Sequence, residues 1–214
     1  MQQLTRVMSC PTEEAWGAAM QCVAWAHQRR SRGIVFRSDG DTNLRTYADS
    51  SDKPDPKDGR AAHFFCIMFA NGPWVWEGRK NTEEGQHSSH NETMAANRAA
   101  KATVHVQKLL QDMGLYDKFP GLKTPTPLMI DNAQALKWSR EEYVSQGNRY
   151  YERDLRYIKR RVEDGSICTR KIAGPLNISD VGTKPLKGPE MRTLGPLLCG
   201  TGGLLPPLPE PPAT

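Results

Sequence analysis

Ala61-Ala62-His63-Phe64-Phe65-Cys66-Ile67-Met68-Phe69-Ala70-Asn71-Gly72-Pro73-Trp74-Val75-Trp76 is the stretch on which the fold turns. Phe64 to Phe69 is apolar throughout and rich in residues that suit a pleated, half-buried surface. Asn71-Gly72 is the pair expected at a tight hairpin turn, and Trp74-Val75-Trp76 returns from it. Just upstream, Leu44 to Ala48 reads as a shorter strand, cut off by the turn-prone stretch from Ser50 to Gly59. Three successive strands predict an antiparallel meander.

Downstream the apolar period changes to that of a helix. From Asn91 to Met113, the residues Ala95, Ala99, Ala102, Val106, Leu109 and Met113 recur in steps of four and three, a continuous buried stripe. Gly114 is its expected C-terminal cap, and the small residues at its start would let the helix lie close to a sheet. Leu128-Met129-Ile130 reads as a buried strand ending in Asp131-Asn132. A second helix over about Asn148 to Glu163 sets Tyr151, Leu155, Ile158 and Val162 on one face, and Ile167 to Ala173 supplies the last strand. This order predicts an α/β fold, a mixed five-stranded sheet with flanking helices.

The two ends differ from this middle. Near the start, Thr12 to Gln28 has Trp16, Ala19, Val23 and Ala26 at helical spacing, followed by Arg29-Arg30-Ser31-Arg32 and the apolar Gly33-Ile34-Val35-Phe36. Eight of the sixteen prolines fall from Pro185 to the end of the chain, and the stretch beyond about Pro185 is expected to remain disordered rather than to build a core. Pro206-Pro207-Leu208-Pro209 contains a P-x-x-P spacing, for which a low-complexity tail is the simpler reading.

Bulk properties narrow the function. The 214-residue chain carries 29 basic and 24 acidic residues, a net charge of +5 that fits a polyanionic partner without requiring one. Its five cysteines (Cys10, Cys22, Cys66, Cys168, Cys199) form no C-x-x-C pair, which argues against a disulfide framework or a structural zinc site. No apolar run approaches the roughly 20 residues that span a bilayer, and no signal architecture opens the chain. A reducing compartment, cytosol or nucleus, is expected.

Four carboxylates stand where the element order makes them unusual. Asp49 and Asp131 each follow an apolar strand, and carboxylates at adjacent strand ends can converge on one ion. Glu92 lies three residues before Ala95 and seven before Ala99, so it extends the buried face of the long helix. Asp180 opens a segment after the last strand. Singly each has a simpler reading: a capping box Ser89-x-x-Glu92, a helix cap at Asp131, an Asx-turn at Asp49. Together they would repel one another unless a cation sat among them. Hard oxygen ligands select Mg²⁺ or Mn²⁺, and two such ions about 3.5–4 Å apart serve phosphodiester hydrolysis. Arg149, Arg153, Arg156 and Arg160 add a basic stripe that can track phosphates, or a solvated face paired with Glu152, Asp154 and Glu163. His87-Ser88-Ser89-His90 has metal-ligand spacing but no third soft ligand, and a polar loop before a helix is preferred.

These residues, in this order, resemble the ribonuclease H domain of copia-type LTR retrotransposon Pol polyproteins, with a likeness running from about Leu4 to Leu186. Leu4-Thr5-Arg6-Val7-Met8, Pro11-Thr12, Trp16 and Gly33-Ile34-Val35-Phe36 resemble the segment that joins reverse transcriptase to ribonuclease H there. Tyr47-Ala48-Asp49, Ser88 to Ala95 around Glu92, and Ile130-Asp131-Asn132 resemble the family's first three acidic positions. Arg149, Asp154-Leu155-Arg156-Tyr157 and Gly165-Ser166-Ile167 match its next helix and turn, and Ser179-Asp180-Val181-Gly182-Thr183-Lys184-Pro185-Leu186 its C-terminal signature. The resemblance implies a ribonuclease H-like fold and hydrolysis of the RNA strand of RNA–DNA hybrids with two Mg²⁺ or Mn²⁺ ions. It assigns Asp49, Glu92, Asp131 and Asp180 as metal ligands, and Lys184 joins the arginines as a nucleic-acid contact. It divides the chain into a connection segment (1–40), a ribonuclease H-like domain (41–187) and a disordered tail (188–214), with the reverse transcriptase of the same polyprotein as a partner and no membrane. The chain departs from the family at Glu152 and Ile158, where histidines are usual, and at Asp52 and Lys53, where an aromatic is common. A remnant that keeps the fold and binds nucleic acid weakly without catalysis is the alternative, and a DNA nuclease or strand-transfer domain on the same fold is a further rival.

Overall fold

A computed structural model of the chain describes residues 4, 7–37, 41–51, 55, 57–140, 149–202 and 205–208. Asp52, Lys53, Asn148 and Pro209 lie outside the described residues. The chain divides into two compact units, Met1–Ile34 and Val35–Thr214.

The first unit contains helix α1 (Glu13–Gln28), opened by Thr12, whose hydroxyl oxygen accepts from Ala15 N at 3.1 Å. None of its residues is buried, and its apolar stripe, including Trp16, Ala19 and Val23, lines a groove of about 530 Å³ with Leu4, Val7 and Met8.

The second unit is built on a five-stranded sheet in the order β3-β2-β1-β4-β5. β1 (Arg45–Ser50), β2 (Ala62–Phe69) and β3 (Gly72–Lys80) pair antiparallel. β4 (Thr126–Ile130) runs parallel to β1, and β5 (Ile167–Lys171) parallel to β4. The helices are α2 (Ser88–Asp112), α3 (Ala133–Trp138), α4 (Glu152–Glu163), α5 (Asp180–Thr183) and α6 (Gly188–Leu198). The mixed sheet with flanking helices is therefore the fold that the sequence pattern predicts.

The hairpin turn sits one residue earlier than Asn71-Gly72. Ala70 and Asn71 take positive φ angles of 49° and 61°, and Phe69 pairs with Gly72. Two positive-φ central residues match the twist of the flanking strands. Gly72 answers a different need: a Cβ there would stand 2.7 Å from the Phe36 ring and 2.8 Å from the Val35 carbonyl oxygen.

Helix α2 covers one face of the sheet with Ala95, Ala96, Ala99, Ala100, Thr103, Val106 and Leu110. The predicted stripe holds at Ala95, Ala99 and Val106 but not at its end, where Leu109 is 47% and Met113 57% exposed. Steps alternating between four and three average 3.5, and a helix of 3.6 residues per turn drifts off such a row. Leu110 takes the buried place instead. The alanines let α2 approach β1 so closely that the hydroxyls of Thr46 and Thr103 lie 2.7 Å apart. Leu44, Ala48, Phe65, Ile67, Leu128, Ile130, Ile158 and Ile167 complete this core.

The opposite face carries a second core of Tyr47, Cys66, Met68, Met129, Ile172, Ile178 and Leu205. Strand residues alternate between faces, so Tyr47 and Met129 point here while Ala48 and Leu128 point to α2. Leu197 and Leu198 of α6 pack against this core, as does Leu208, and Leu194 is buried. The expectation of disorder beyond Pro185 thus fails over Gly188–Leu198. A sheet apolar on both faces has to be covered on both, and the leucines of the Pro-rich segment do so. Pro189 is tolerated because it stands in the first turn of α6. Val35 N donates to the Cys199 carbonyl at 2.9 Å, and the Arg45 guanidinium donates to the carbonyl of Pro206. Among the described residues no helix is long and apolar enough to cross a membrane.

Candidate metal centre

Parallel β1 and β4 lie side by side, with Thr46 opposite Leu128 and Tyr47 opposite Met129. Continuing that register by two residues sets Asp131 opposite Asp49. Asp49 lies inside β1 rather than after it, because the strand runs on to Ser50. The two-residue period of the strand gives it the face of Tyr47, the face on which α5 sits.

A small polar network brings in the third carboxylate. Asn177 Nδ2 donates to the Ala48 carbonyl at 3.3 Å, and Ser179 Oγ donates to Asn177 Oδ1 at 2.6 Å. Gly182 then lies directly against the Phe64 ring of β2, with no room for a Cβ. Gly182→Ala is therefore expected to cost about 1–3 kcal/mol through overpacking and to displace Asp180. Thermal unfolding with and without Mg²⁺ checks this, and a variant with an unchanged midpoint would contradict the close approach.

One carboxylate oxygen from each of Asp49, Asp131 and Asp180 lies within 4.8 Å of the others. Asp49 has no exposed surface, Asp180 is buried and Asp131 half-buried. Among the described residues this is the one group of three or more His, Cys, Asp or Glu side chains arranged to hold a metal ion. Glu92 enters from the N-terminal part of α2, just past its first turn, on the opposite layer. It is buried, its carboxylate accepts from the Ser50 backbone N–H, and it is near enough to feel Asp49 and Asp131 without joining the trio.

The simpler readings of these residues do not hold. His87, not Ser89, caps α2, its Nδ1 accepting from His90 N at 3.3 Å. Asn132, not Asp131, caps α3, its Oδ1 accepting from Ala135 N at 2.9 Å. His87 and His90 belong to an aromatic cluster instead, with His90 stacked on Tyr151 at 4.6 Å and His87 beside Trp138 at 5.7 Å.

Burial dominates the electrostatics. It pushes the Asp49 carboxyl up to about 7; the Thr183 hydroxyl and Lys184 oppose the rise, while Asp180 and Asp131 add to it. Burial, then Asp49 and Asp131, hold Glu92 well above the usual carboxylate range. For Lys184 burial acts downward, but Asp49 and Asp180 outweigh it and the ammonium holds its proton more firmly than usual. Its Nζ stands 2.9 Å from Asp180 Oδ1, 3.3 Å from Asp49 Oδ1 and 3.9 Å from Asp131 Oδ2. The donor set is all oxygen and crowded with negative charge, which fits a hard divalent cation with oxygen ligands at about 2.0–2.6 Å.

No family model matches the chain. Over 181 residues, 85% of its length, it is 20% identical to the retrovirus-related Pol polyprotein from transposon TNT 1-94 of Nicotiana tabacum. The chain is thus similar to part of a retrotransposon Pol polyprotein. It spans 13% of that relative's length. Among solved structures, it is similar to the N-terminal ribonuclease H domain of a Mycobacterium tuberculosis protein, with 9% identity, a TM-score of 0.48, and coverage of 72% of this chain and 97% of that one. It is also similar to LC11-RNase H1 in complex with an RNA/DNA hybrid, with 14% identity, a TM-score of 0.47, and coverage of 65% and 93%.

In the second unit the basic residues stand apart from one another in their pairing. Arg149, Arg153, Arg156 and Arg160 are all exposed on α4 or the turn before it. Arg156 pairs with Glu152 at 2.6 Å, and Arg153 stands 3.5 Å from Glu83. Asp154 turns inward to accept from Asn97 and is not available to this row. Lys184 points into the carboxylates rather than outward. Ile158 is 1% exposed in the main core, so the histidine usual in the resembling family would bury an imidazole here without a built partner. Glu152 remains at the surface.

Two site residues escaped the sequence reading. The Thr183 hydroxyl donates to Asp49, and Asn177 ties the loop before α5 to β1. Thr183 lay inside the Ser179–Leu186 signature and could have been singled out there; Asn177 carried no comparable signal.

Proposed function

We propose that the chain is a metal-dependent ribonuclease H that hydrolyses the RNA strand of RNA–DNA hybrids. The observation that carries this reading is the convergence of Asp49, Asp131 and Asp180 at the ends of adjacent elements, with Glu92 buried beside them. Asp49 and Asp131 would be the central ligands of Mg²⁺ or Mn²⁺, with Glu92 and Asp180 flanking them as ligands of a two-ion site. When bound, such ions supply an activated water and stabilise charge on the attacking and leaving oxygens. The residues themselves hold the site: β1 and β4 set the spacing, the Asn177–Ser179 network positions Asp180, and the Thr183 hydroxyl orients Asp49.

The exposed arginines support a polyanionic substrate. Arg153, with 85% of its side chain exposed and only a 3.5 Å contact to Glu83, is free to swing to a phosphate. Arg153→Ala is expected to weaken hybrid binding and reduce the slope of log K against log salt by roughly one. Binding titrations at several salt concentrations check it, and an unchanged slope would reject the contact. Arg149, Arg156, Arg160 and Lys184 belong to the same proposed nucleic-acid surface. Residues 1–40 would be the connection segment, 41–187 the nuclease domain, and the reverse transcriptase part of a polyprotein the partner. Five free cysteines suit a reducing compartment, cytosol or nucleus.

Matched substrates test the reading. Cutting of hybrid but not of duplex DNA of the same sequence is expected, and equal cutting of both would favour a DNA nuclease on this fold.

A further inference from the structure

Lys184 stands inside the carboxylate trio, with its Nζ within 4 Å of an oxygen from all three members. Its backbone N–H donates to the Asp180 carbonyl at 3.0 Å, closing α5, and only 30% of its side chain is exposed. An ammonium and a divalent cation cannot share these oxygens, because like charges a few ångströms apart repel strongly where burial removes water. The ammonium therefore has to leave when a cation enters, and its flexible four-carbon stem allows this without moving the backbone.

We propose that Lys184 is the protein's own counter-ion for the carboxylate cluster, displaced by the incoming divalent cation, so that it sets the cation concentration at which the site fills. The proposal rests on reading the trio as a metal site. In the metal-free protein the ammonium offsets repulsion among Asp49, Asp131 and Asp180, which stabilises the fold and weakens cation uptake together. On displacement it stands at the mouth of the site, where a phosphate of the substrate is its next partner. Lys184 acts on the cation through the shared carboxylates and is a positioning residue.

Three readouts on the full chain test it, with Mn²⁺ as the binding probe. Lys184→Met keeps the stem and removes the charge. It is expected to bind Mn²⁺ on the order of tenfold more tightly by calorimetry, within the usual range for coupled sites. The metal-free variant should melt several degrees lower than wild type and recover when Mn²⁺ is added. Lys184→Arg retains the charge and should stay near wild type in both. Should Lys184→Met not fold, wild type alone decides the matter through acylation of Lys184 read by peptide mass spectrometry. Saturating Mg²⁺ is expected to raise its labelling severalfold by releasing it from the carboxylates. Wild-type uptake of Mn²⁺ with unchanged affinity in Lys184→Met, or with Lys184 labelling unaltered by Mg²⁺, would overturn the counter-ion role and leave the metal site standing. Absence of Mn²⁺ uptake by wild type and variant alike would overturn both.

Discussion

Asp49→Asn is expected to abolish hybrid cleavage while making the metal-free protein more stable at pH 8. The substitution keeps the shape of the side chain and removes its charge. Loss of a group that holds charge at the reacting centre costs about 10²–10³-fold in rate, and Asp131→Asn should cost as much, since Asp49 on β1 and Asp131 just past the end of β4 bring their carboxylates together. Stability moves the other way because the Asp49 carboxyl is raised, mainly by burial, to about 7. A carboxyl raised above its unfolded value near 3.9 contributes stability that is fully present below that value and is lost as pH climbs through the folded one. Metal-free wild type should therefore lose stability between about pH 4 and 7, and Asp49→Asn should lose less. Melting curves across that range, in chelator, check the sign. A variant that still cuts at the wild-type rate, or that melts lower than wild type at pH 8, would refute the role given to Asp49.

Deletion of residues 188–214 is expected to cost several kcal/mol. The segment looks dispensable from its proline content, yet Leu197, Leu198, Leu205 and Leu208 pack with Tyr47, Cys66, Met68 and Met129, and Leu194 is buried as well. Full burial of one such side chain contributes about 1.5–3 kcal/mol. Losing several approaches the roughly 5–15 kcal/mol of a typical domain. Urea unfolding of a chain ending at Lys187 measures this, with a large fall in midpoint or loss of a cooperative transition expected. A midpoint equal to that of the whole chain would mean that the second face needs no cover. The deletion keeps all four carboxylates, so any loss of activity would trace to the fold.

The sheet was legible because two periods meet in one chain. Phe64 to Phe69 is a run only a buried strand explains, and the alanines of α2 announce a helix lying against it. The site was legible where a strand end placed a carboxylate, at Asp49 and Asp131, and where Glu92 extended a buried helical face. Other features depended on tertiary contacts that local pattern does not carry. The turn moved to Ala70-Asn71 because Gly72 had to admit Phe36, and Leu110 replaced Leu109 through helical drift. The leucines of α6 were hidden by the prolines around them. Asp180, Thr183 and Lys184 reach Asp49, and Asn177 its neighbour Ala48, only after the chain has passed through β4, α4 and β5, a distance at which spacing says nothing. For Asp180 the family resemblance supplied the link; for the inward turn of Lys184 nothing in the sequence did.

The carboxylate cluster is proposed to be a metal-dependent hybrid nuclease site. Incubation of the purified chain with a hybrid labelled separately on each strand, in Mg²⁺, in Mn²⁺ and in chelator, tests it most directly. Metal-dependent cleavage confined to the RNA strand is the predicted result. Intact RNA after incubation with folded, cation-loaded protein would contradict it and leave a fold that binds nucleic acid without cutting it.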